Sequence, residues 1–303
     1  MRIIQYSYGQ TPPDLPPLSA ALGFFDGVHL GHRRLIRMAI EGAADGVASA
    51  VITFASEAQG LKSGSGRLYS TENRLDVFAG MGVDVAVILD FDSVKGLSPE
   101  DYVTRVLLEG LNCVKLYVGY NHRFGAGGTG SAEDLCRIAQ GRAECRVIPE
   151  ERLGDLSLST TDIKRELAEG RLDTAARMLG EEYFILGRVE RGLGIGKRSG
   201  FPTVNNRLPA GCPLPYGVYK TRVCIQGRSY VGLTNVGVCP TFGEREPHVE
   251  TTLLDFDSSI YGEEVRISFL RFIRPEMSFG SAEELREQIE RDKLSALSDE
   301  NSK

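Results

Sequence analysis

Four histidines are spread over 303 residues, and two of them, His29 and His32, stand three positions apart. They lie in the run GFFDGVHLGHRRLI, Gly23 to Ile36, and bracket Gly31. Gly23, Gly27 and Gly31 let a backbone bend tightly and approach a ligand closely. A helix start offers unpaired N–H groups and the positive end of a dipole to an anion. Two imidazoles at that point can donate hydrogen bonds to phosphate oxygens and can carry charge. Charge that builds on a nucleoside triphosphate during group transfer is stabilised by such groups. The run therefore reads as a triphosphate site, against the plainer reading of a tight turn with two satisfied histidines.

A second dense motif runs from Gly187 to Asn205, GRVERGLGIGKRSGFPTVN. Around Gly196-Lys197 it imitates a Walker A loop and fails it. Arg191 occupies the first glycine position and Arg198 the Ser/Thr position, and no helix is expected next. A loop with Gly194, Gly196 and Lys197 can still wrap phosphates through backbone N–H groups. Thr203 and Asn205 then supply a hydroxyl and a carbonyl oxygen, hard ligands suited to Mg²⁺. A third glycine run, GAGGTG (Gly125–Gly130), fits GxGxxG. It does not open the first βα turn, as a dinucleotide fingerprint requires, and reads as a loop near the nucleotide.

Two architectures must hold these residues. Over the first 150 residues, apolar runs of strand length (Ala20–Phe25, Val47–Phe54, Val83–Phe91, Cys113–Gly119, Cys145–Ile148) alternate with helical patterns at Leu30–Ala43 and Pro99–Leu111. Such runs suit strands covered on both faces, and the alternation implies a parallel sheet with right-handed crossovers. The first motif then falls at the first strand-to-helix turn, where such sheets bind ligands. Ser159–Gly180 reads as two short helices, the first capped by Ser159-x-x-Asp162. Beyond it, Phe184–Arg191, Val218–Ile225, Tyr230–Val238, Val249–Phe256 and Val265–Ile273 read as strands separated by turns, an antiparallel barrel or sandwich. Ser281-x-x-Glu284 caps a terminal helix. The expected division is 1–182 and 183–303.

Composition narrows the classes. The chain is 42% hydrophobic and 25% charged, which excludes wholesale disorder, and its net charge of −6 argues against a broad nucleic-acid surface. No apolar run approaches the ~20 residues of a membrane span, and the N-terminus lacks a signal peptide's apolar core. Six cysteines (Cys113, Cys136, Cys145, Cys212, Cys224, Cys239) form no CxxC, so no zinc or redox motif is expected. Thiols without a framework fit a reducing cytoplasm.

GFFDGVHLGH resembles the adenylyltransferase half of bacterial bifunctional riboflavin kinase/FMN adenylyltransferases, and its HLGH is the HxGH signature of nucleotidylyltransferases. VGYNHRFGAGGTG, from Val118, is similar to that family's VGxDFRFGxxxxG, with His122 at an aromatic position. LSTTDIKRELAEG, from Leu158, is similar to ISSTxIRxxLxxG, with Thr160 for a serine and Lys164 for an arginine. Lysine is a point charge without the bidentate fork. FASEAQG, from Phe54, departs from the usual FEPHP. In the second half, GFPTVN resembles the riboflavin kinase signature GxPTAN. NVGVCPTFGE, HVETTLLDF and IYGEEVRISFLRFIRPEMSF resemble the rest of that domain.

The resemblance implies a Rossmann-like nucleotidylyltransferase domain followed by a riboflavin kinase-type antiparallel barrel with a terminal helix. His29 and His32 would contact ATP phosphates. Gly23, Phe24, Asp26, Gly27, Gly31, Asn121, Arg123, Ser159, Thr160 and Lys164 would frame that site. Gly194, Gly196 and Lys197 would hold the second ATP, Thr203 and Asn205 its Mg²⁺, and Glu250 would be the base on the riboflavin 5′-hydroxyl. Arg274-x-Glu276 reads as a loop ion pair. ATP, riboflavin, FMN and FAD are the expected substrates and products, with no obligate protein partner. Two alternatives stay open on the residues alone: a riboflavin kinase whose first half is inactive or altered, and a non-catalytic flavin or nucleotide sensor.

Overall fold

A computed structural model describes residues 1–56, 66–154, 156–189, 203–209, 211–238, 247–254 and 262–298, with 203–207 described by backbone alone. Gly194, Gly196 and Lys197 lie outside the described residues, as do most of FASEAQG and of the Gly60–Gly66 loop. The chain divides into two compact units, Met1–Thr160 and Thr161–Lys303.

The first unit is a six-stranded sheet: β1 (Arg2–Tyr6), β2 (Leu18–Leu22), β3 (Ala48–Phe54), β4 (Val85–Leu89), β5 (Cys113–Gly119) and β6 (Glu144–Ile148). Every pairing is parallel, in the order β1-β4-β3-β2-β5-β6. All five residues of β2 are buried, which is why LSAAL shows no polar alternation. Helix α1 (Leu30–Glu41) follows β2 and buries Leu35, Ile36 and Ala39. The Ser19 hydroxyl donates to the Ala39 carbonyl at 2.7 Å and ties that helix to the strand. Because β2 pairs with β3 on one side and β5 on the other, the chain reverses its winding at β2. Ligands of open α/β sheets bind outside the strand carboxyl ends at such a reversal.

The structure adds elements that the residue pattern did not announce. β1 is an edge strand with only two buried residues. Helix α2 (Thr71–Gly80) starts at Ser70, whose hydroxyl accepts from the Asn73 N–H at 3.2 Å. The expected helix from Pro99 begins at Pro99–Asp101 and continues as a π-helix over Tyr102–Gly110, with Tyr102, Val103, Val106 and Leu107 buried as the periodicity required. Helix α3 (Ala132–Ala139) carries a capping box at Ser131 and Asp134.

One expectation is corrected. Cys136 on α3 and Cys145 on β6 form a disulfide rather than two free thiols. The short return from α3 to β6 brings the two Cα atoms to 5.1 Å, inside the range a disulfide spans. Cys113, Cys212 and Cys224 are unbridged.

The second unit opens with two helices, α4 (Thr160–Ala168, its first residue closing the first unit) and α5 (Leu172–Leu179). A six-stranded antiparallel sheet follows: β7 (Phe184–Arg188), β8 (Thr203–Arg207), β9 (Gly217–Ile225), β10 (Arg228–Gly237), β11 (His248–Leu253) and β12 (Glu264–Pro275), ordered β7-β12-β9-β10-β11-β8. The sequence reading lacked β8, whose TVNNR is too polar to show as a strand. Thr221, Thr234 and Thr251 are fully buried, and their hydroxyls form a line across β9, β10 and β11 at 2.7 and 2.8 Å. A Cβ at Gly232 would lie 2.5 Å from the Thr221 hydroxyl, so the glycine leaves room for this line.

Helix α6 (Ala282–Leu297) packs on Val218, Leu233 and Ile273 through Ile289 and Ala296. It is pinned by Arg274, which meets Asp292 at 2.8 Å with the carboxylate only 3% exposed. The expected loop pair between Arg274 and Glu276 is therefore corrected. Arg274 reaches across to the terminal helix, while the Glu276 carboxylate lies where any side chain at Gly237 would have to go.

Candidate active sites

The apolar run expected as strand through Phe25 stops at Leu22, and the chain then folds into a strained loop. Phe25 and Val28 adopt positive φ angles of 58° and 42°, and Gly27 one of 78°. Non-glycine residues in that region cost about 1–3 kcal/mol each and persist where surrounding contacts hold them. Here the contacts are visible. The Phe25 ring is 2% exposed and meets the His32 ring edge-on at 5.4 Å and Phe78 at 5.8 Å. A Cβ at Gly23 would press on the Phe25 ring at 3.0 Å.

His29 is the N-cap of α1. Its Nδ1 accepts from the His32 backbone N–H at 3.4 Å. An accepting Nδ1 leaves the proton on Nε2, so the neutral ring keeps one donor for a ligand. The His29 and His32 rings stack with centroids 3.6 Å apart. A Cβ at Gly31 would lie 3.3 Å from the His29 ring, which explains the glycine between the two histidines. Burial pushes His29 down to about 4. His32 is pushed well below the usual histidine range by burial, then by His29 and by Arg74. Its Nδ1 is buried with no hydrogen-bond partner among the described residues. The pair is thus neutral, largely buried and stacked, and an anion brought to the helix start would favour its protonation.

The expected frame residues divide into groups. The Asp26 carboxylate accepts from the Leu68 N–H at 2.9 Å and the Tyr69 N–H at 3.0 Å, and so fastens the segment before α2 to the loop. The Thr160 hydroxyl donates to the Asp26 carbonyl at 3.0 Å, which brings the Ser159-Thr160 motif to the same loop from 134 residues away. Glu151 pairs with Arg34 near the start of α1. Asn121 and Arg123 follow β5, whose Val118 pairs with Leu22, so both sit at the carboxyl edge beside the loop and both are exposed. Lys164 lies one turn into α4. The Phe24 ring meets two guanidinium groups, Arg67 at 4.2 Å and Arg74 at 4.6 Å from its centre.

Two features were not expected from the residue pattern. Arg74, on α2, is fully buried beneath the loop. Only its N-capping serine and the short apolar pattern of α2 could have hinted at the helix that carries it. His122 has a buried Nε2 without a partner among the described residues, and burial pushes it down to about 4.

In the second unit, strand register gathers the remaining candidates. Asn205 on β8 stands opposite Glu250 on β11, and Glu250 stands opposite Asn235 on β10. Thr203 stands opposite Thr252. Along β11, Val249, Thr251 and Leu253 are buried, which leaves His248, Glu250 and Thr252 together on the other face. The sheet thus places one carboxylate between two asparagines in the middle of three adjacent strands.

A strained strand-to-helix loop with stacked imidazoles, followed by an antiparallel sheet whose register sets Glu250 opposite two asparagines, fits a transferase with two centres. The comparisons name it further. The FAD synthetase family model matches residues 11–162 and the riboflavin kinase model matches residues 179–298. A bifunctional riboflavin kinase/FMN adenylyltransferase of Listeria monocytogenes is 34% identical over 280 residues, 90% of this chain and 89% of that protein. Its counterpart in Bacillus subtilis is 32% identical over 91% of this chain and 90% of that protein. A solved structure titled a macrolide-efflux protein from Streptococcus pneumoniae has a TM-score of 0.80 at 27% identity, covering 98% of this chain and 99% of that one. That title names efflux, whereas among the described residues no helix is long and apolar enough to cross a membrane. The chain belongs to the bifunctional riboflavin kinase/FMN adenylyltransferase family.

Proposed function

We propose that the chain makes FAD from riboflavin in two ATP-dependent steps, residues 183–303 performing the first and residues 1–182 the second. In the first, the riboflavin 5′-hydroxyl attacks the γ-phosphorus of ATP, its proton passes to Glu250, and ADP leaves. In the second, a phosphate oxygen of FMN attacks the α-phosphorus of ATP and pyrophosphate leaves. No covalent enzyme intermediate is needed, because each acceptor oxygen forms its P–O bond as the leaving oxygen breaks its own.

The observation that carries this reading is the stacked His29–His32 pair at the start of α1, on the strand where the sheet reverses its winding. There the helix N–H groups, the His29 Nε2–H and the loop glycines would meet an ATP phosphate. Gly23, Phe24, Asp26, Gly27 and Gly31 shape that cradle. Asn121, Arg123, Ser159 and Thr160 border it, the resemblance alone adds Lys164, and Gly194, Gly196 and Lys197 serve the second ATP. Mg²⁺ fits the kinase centre on donor chemistry. Thr203 and Asn205 offer hard oxygens, and the register sets Asn205 beside Glu250. Mg²⁺ commonly takes one or two protein ligands together with substrate phosphates, and these two residues suit that role. Held there by Thr203 and Asn205, a metal would supply positive charge against the developing phosphoryl charge. Dependence of both steps on ATP supports a cytoplasmic location, and neither step calls for a protein partner.

The test is to incubate the chain with riboflavin and Mg·ATP and separate the flavins by chromatography. FMN followed by FAD supports the reading. FMN without FAD, even from supplied FMN, refutes the second step and leaves a kinase. No turnover of riboflavin refutes the first.

A further inference from the structure

Arg74 is fully buried, yet it comes from a helix 50 residues beyond the loop it touches. One arm of its guanidinium donates to the Phe24 carbonyl at 2.6 Å and to the Thr53 hydroxyl at 2.7 Å. The Thr53 hydroxyl itself donates to the same Phe24 carbonyl at 2.9 Å. The other arm donates to the Phe54 carbonyl at 2.8 Å, the Ser56 hydroxyl at 3.1 Å and the Thr71 hydroxyl at 3.4 Å. The Phe24 ring covers the group at 4.6 Å. Removing a guanidinium from water is costly, and a simple packing role would be met by an apolar side chain. What an apolar side chain cannot do is hold two divergent sets of oxygens in one plane, the geometry a guanidinium provides and an ammonium does not.

We propose that Arg74 is a positioning residue for adenylyl transfer, clamping the Gly23–Val28 loop to the carboxyl end of β3 so that His29 and His32 are presented in their stacked geometry. This rests on reading those histidines as the adenylyl-transfer pair. The loop needs such a clamp. It carries positive φ at Phe25, Gly27 and Val28, and its backbone leaves β2 just where Phe24 is held. Asp26 fastens the same loop to Leu68 and Tyr69, immediately before the helix that delivers Arg74, so the clamp closes on both sides. The charged and titratable groups that bear on His32 are Arg74 and His29, and both favour its neutral form.

The experiment uses the full chain and the variants Arg74→Lys and Thr53→Val, with riboflavin phosphorylation as the internal control. Misplacement of reacting groups by about 1 Å costs ~10²-fold, so Arg74→Lys is expected to lower kcat for FAD formation by ~10²-fold. KM values for ATP and FMN should change by less than ~3-fold, because the clamp touches neither substrate. The ring-proton NMR signals of His29 and His32 should move together, while those of His122 and His248 stay. Thr53→Val, which keeps the arginine and removes one strut, should shift kcat the same way by less.

Unchanged kcat in Arg74→Lys overturns the proposal. So does a rise in KM alone, or a loss of kcat with unmoved His29 and His32 signals. Should Arg74→Lys fail to fold, Thr53→Val decides, and wild-type kcat there is again a refutation. If His32→Ala forms FAD at the wild-type rate, the reading of the site fails instead. If His32→Ala is inactive and Arg74→Lys is not, the proposal alone fails.

Discussion

Acid should weaken the first unit through a histidine that burial keeps neutral. His29 titrates at about 4 in the folded chain against 6.5 for an unhindered imidazole. Between those values the unfolded chain binds a proton that the folded chain refuses. Stability contributed by the neutral ring is therefore complete above pH 6.5, falls as pH drops, and is gone below pH 4. At about 1.36 kcal/mol per unit, the gap between 6.5 and about 4 amounts to ~3.4 kcal/mol. Integrating the two titrations to pH 5 gives a loss of about 2 kcal/mol. For a unit of this size that corresponds to a fall of ~4–8 °C in melting temperature. The assay is calorimetry from pH 7.5 to 4.5 on the wild type and His29→Gln, following the transition of the first unit. The variant also loses the N-cap, a pH-independent offset of about 0.5–2 kcal/mol, so slopes rather than midpoints are compared. His122, shifted to about 4 in the same unit, contributes equally to both proteins and cancels, and His32, which burial lowers more than its contact with His29 does, largely cancels as well. Parallel loss of stability by wild type and variant between pH 6.5 and 4.5 would refute the claim that His29 is held neutral.

Three further predictions concern the two centres and the frame of the second unit. Glu250→Gln should lower riboflavin phosphorylation by ~10²–10⁴-fold and spare FAD formation from supplied FMN, while His32→Ala does the reverse by ~10²-fold or more, both read by flavin chromatography. Loss of both activities in either folded variant would break the assignment of one centre to each half. Asp292→Ala strands the Arg274 guanidinium and should cost about 3–5 kcal/mol; hydrogen exchange should show residues 282–297 exchanging before the sheet. Thr234→Val keeps the volume but removes the central hydroxyl of the buried threonine line, which should lower the unfolding free energy in urea by about 1–3 kcal/mol.

What could be read from the residues was whatever chemistry forces into a short span. His29, Gly31 and His32 stand out because a phosphate reading asks a helix start, a close approach and two donors to coincide within four positions, and the start of α1 is where the three residues lie. Glu250 and Asn205 were legible as motif residues, although only strand register shows them opposite one another. The misses have physical causes. β8 is polar, β1 is an edge strand with little to bury, and Phe25 looks like strand because an aromatic is equally at home under a strained loop. The disulfide was hidden because a nine-residue separation says nothing of whether a helix and a strand will turn two Cβ atoms toward each other.

The deepest miss concerns the frame rather than the groups it holds. The loop that carries both histidines is fixed by bonds to residues 29 to 134 positions away: Thr53 and Arg74 on the Phe24 carbonyl, Leu68 and Tyr69 on Asp26, and Thr160 on the Asp26 carbonyl. Thr160 apart, which LSTTDIKRELAEG already marks, none of these partners is chemically remarked by its own neighbours in the sequence. On the proposed reading, an intact GFFDGVHLGH is needed for adenylyl transfer without being sufficient for it. The departures that matter in a chain of this kind are those that remove a strut. By that criterion FASEAQG is less damaging than it looks, since the Phe54 carbonyl and the Ser56 hydroxyl at its start are both engaged by Arg74. A replacement at Thr53 or Arg74 would leave every motif legible and the centre slack.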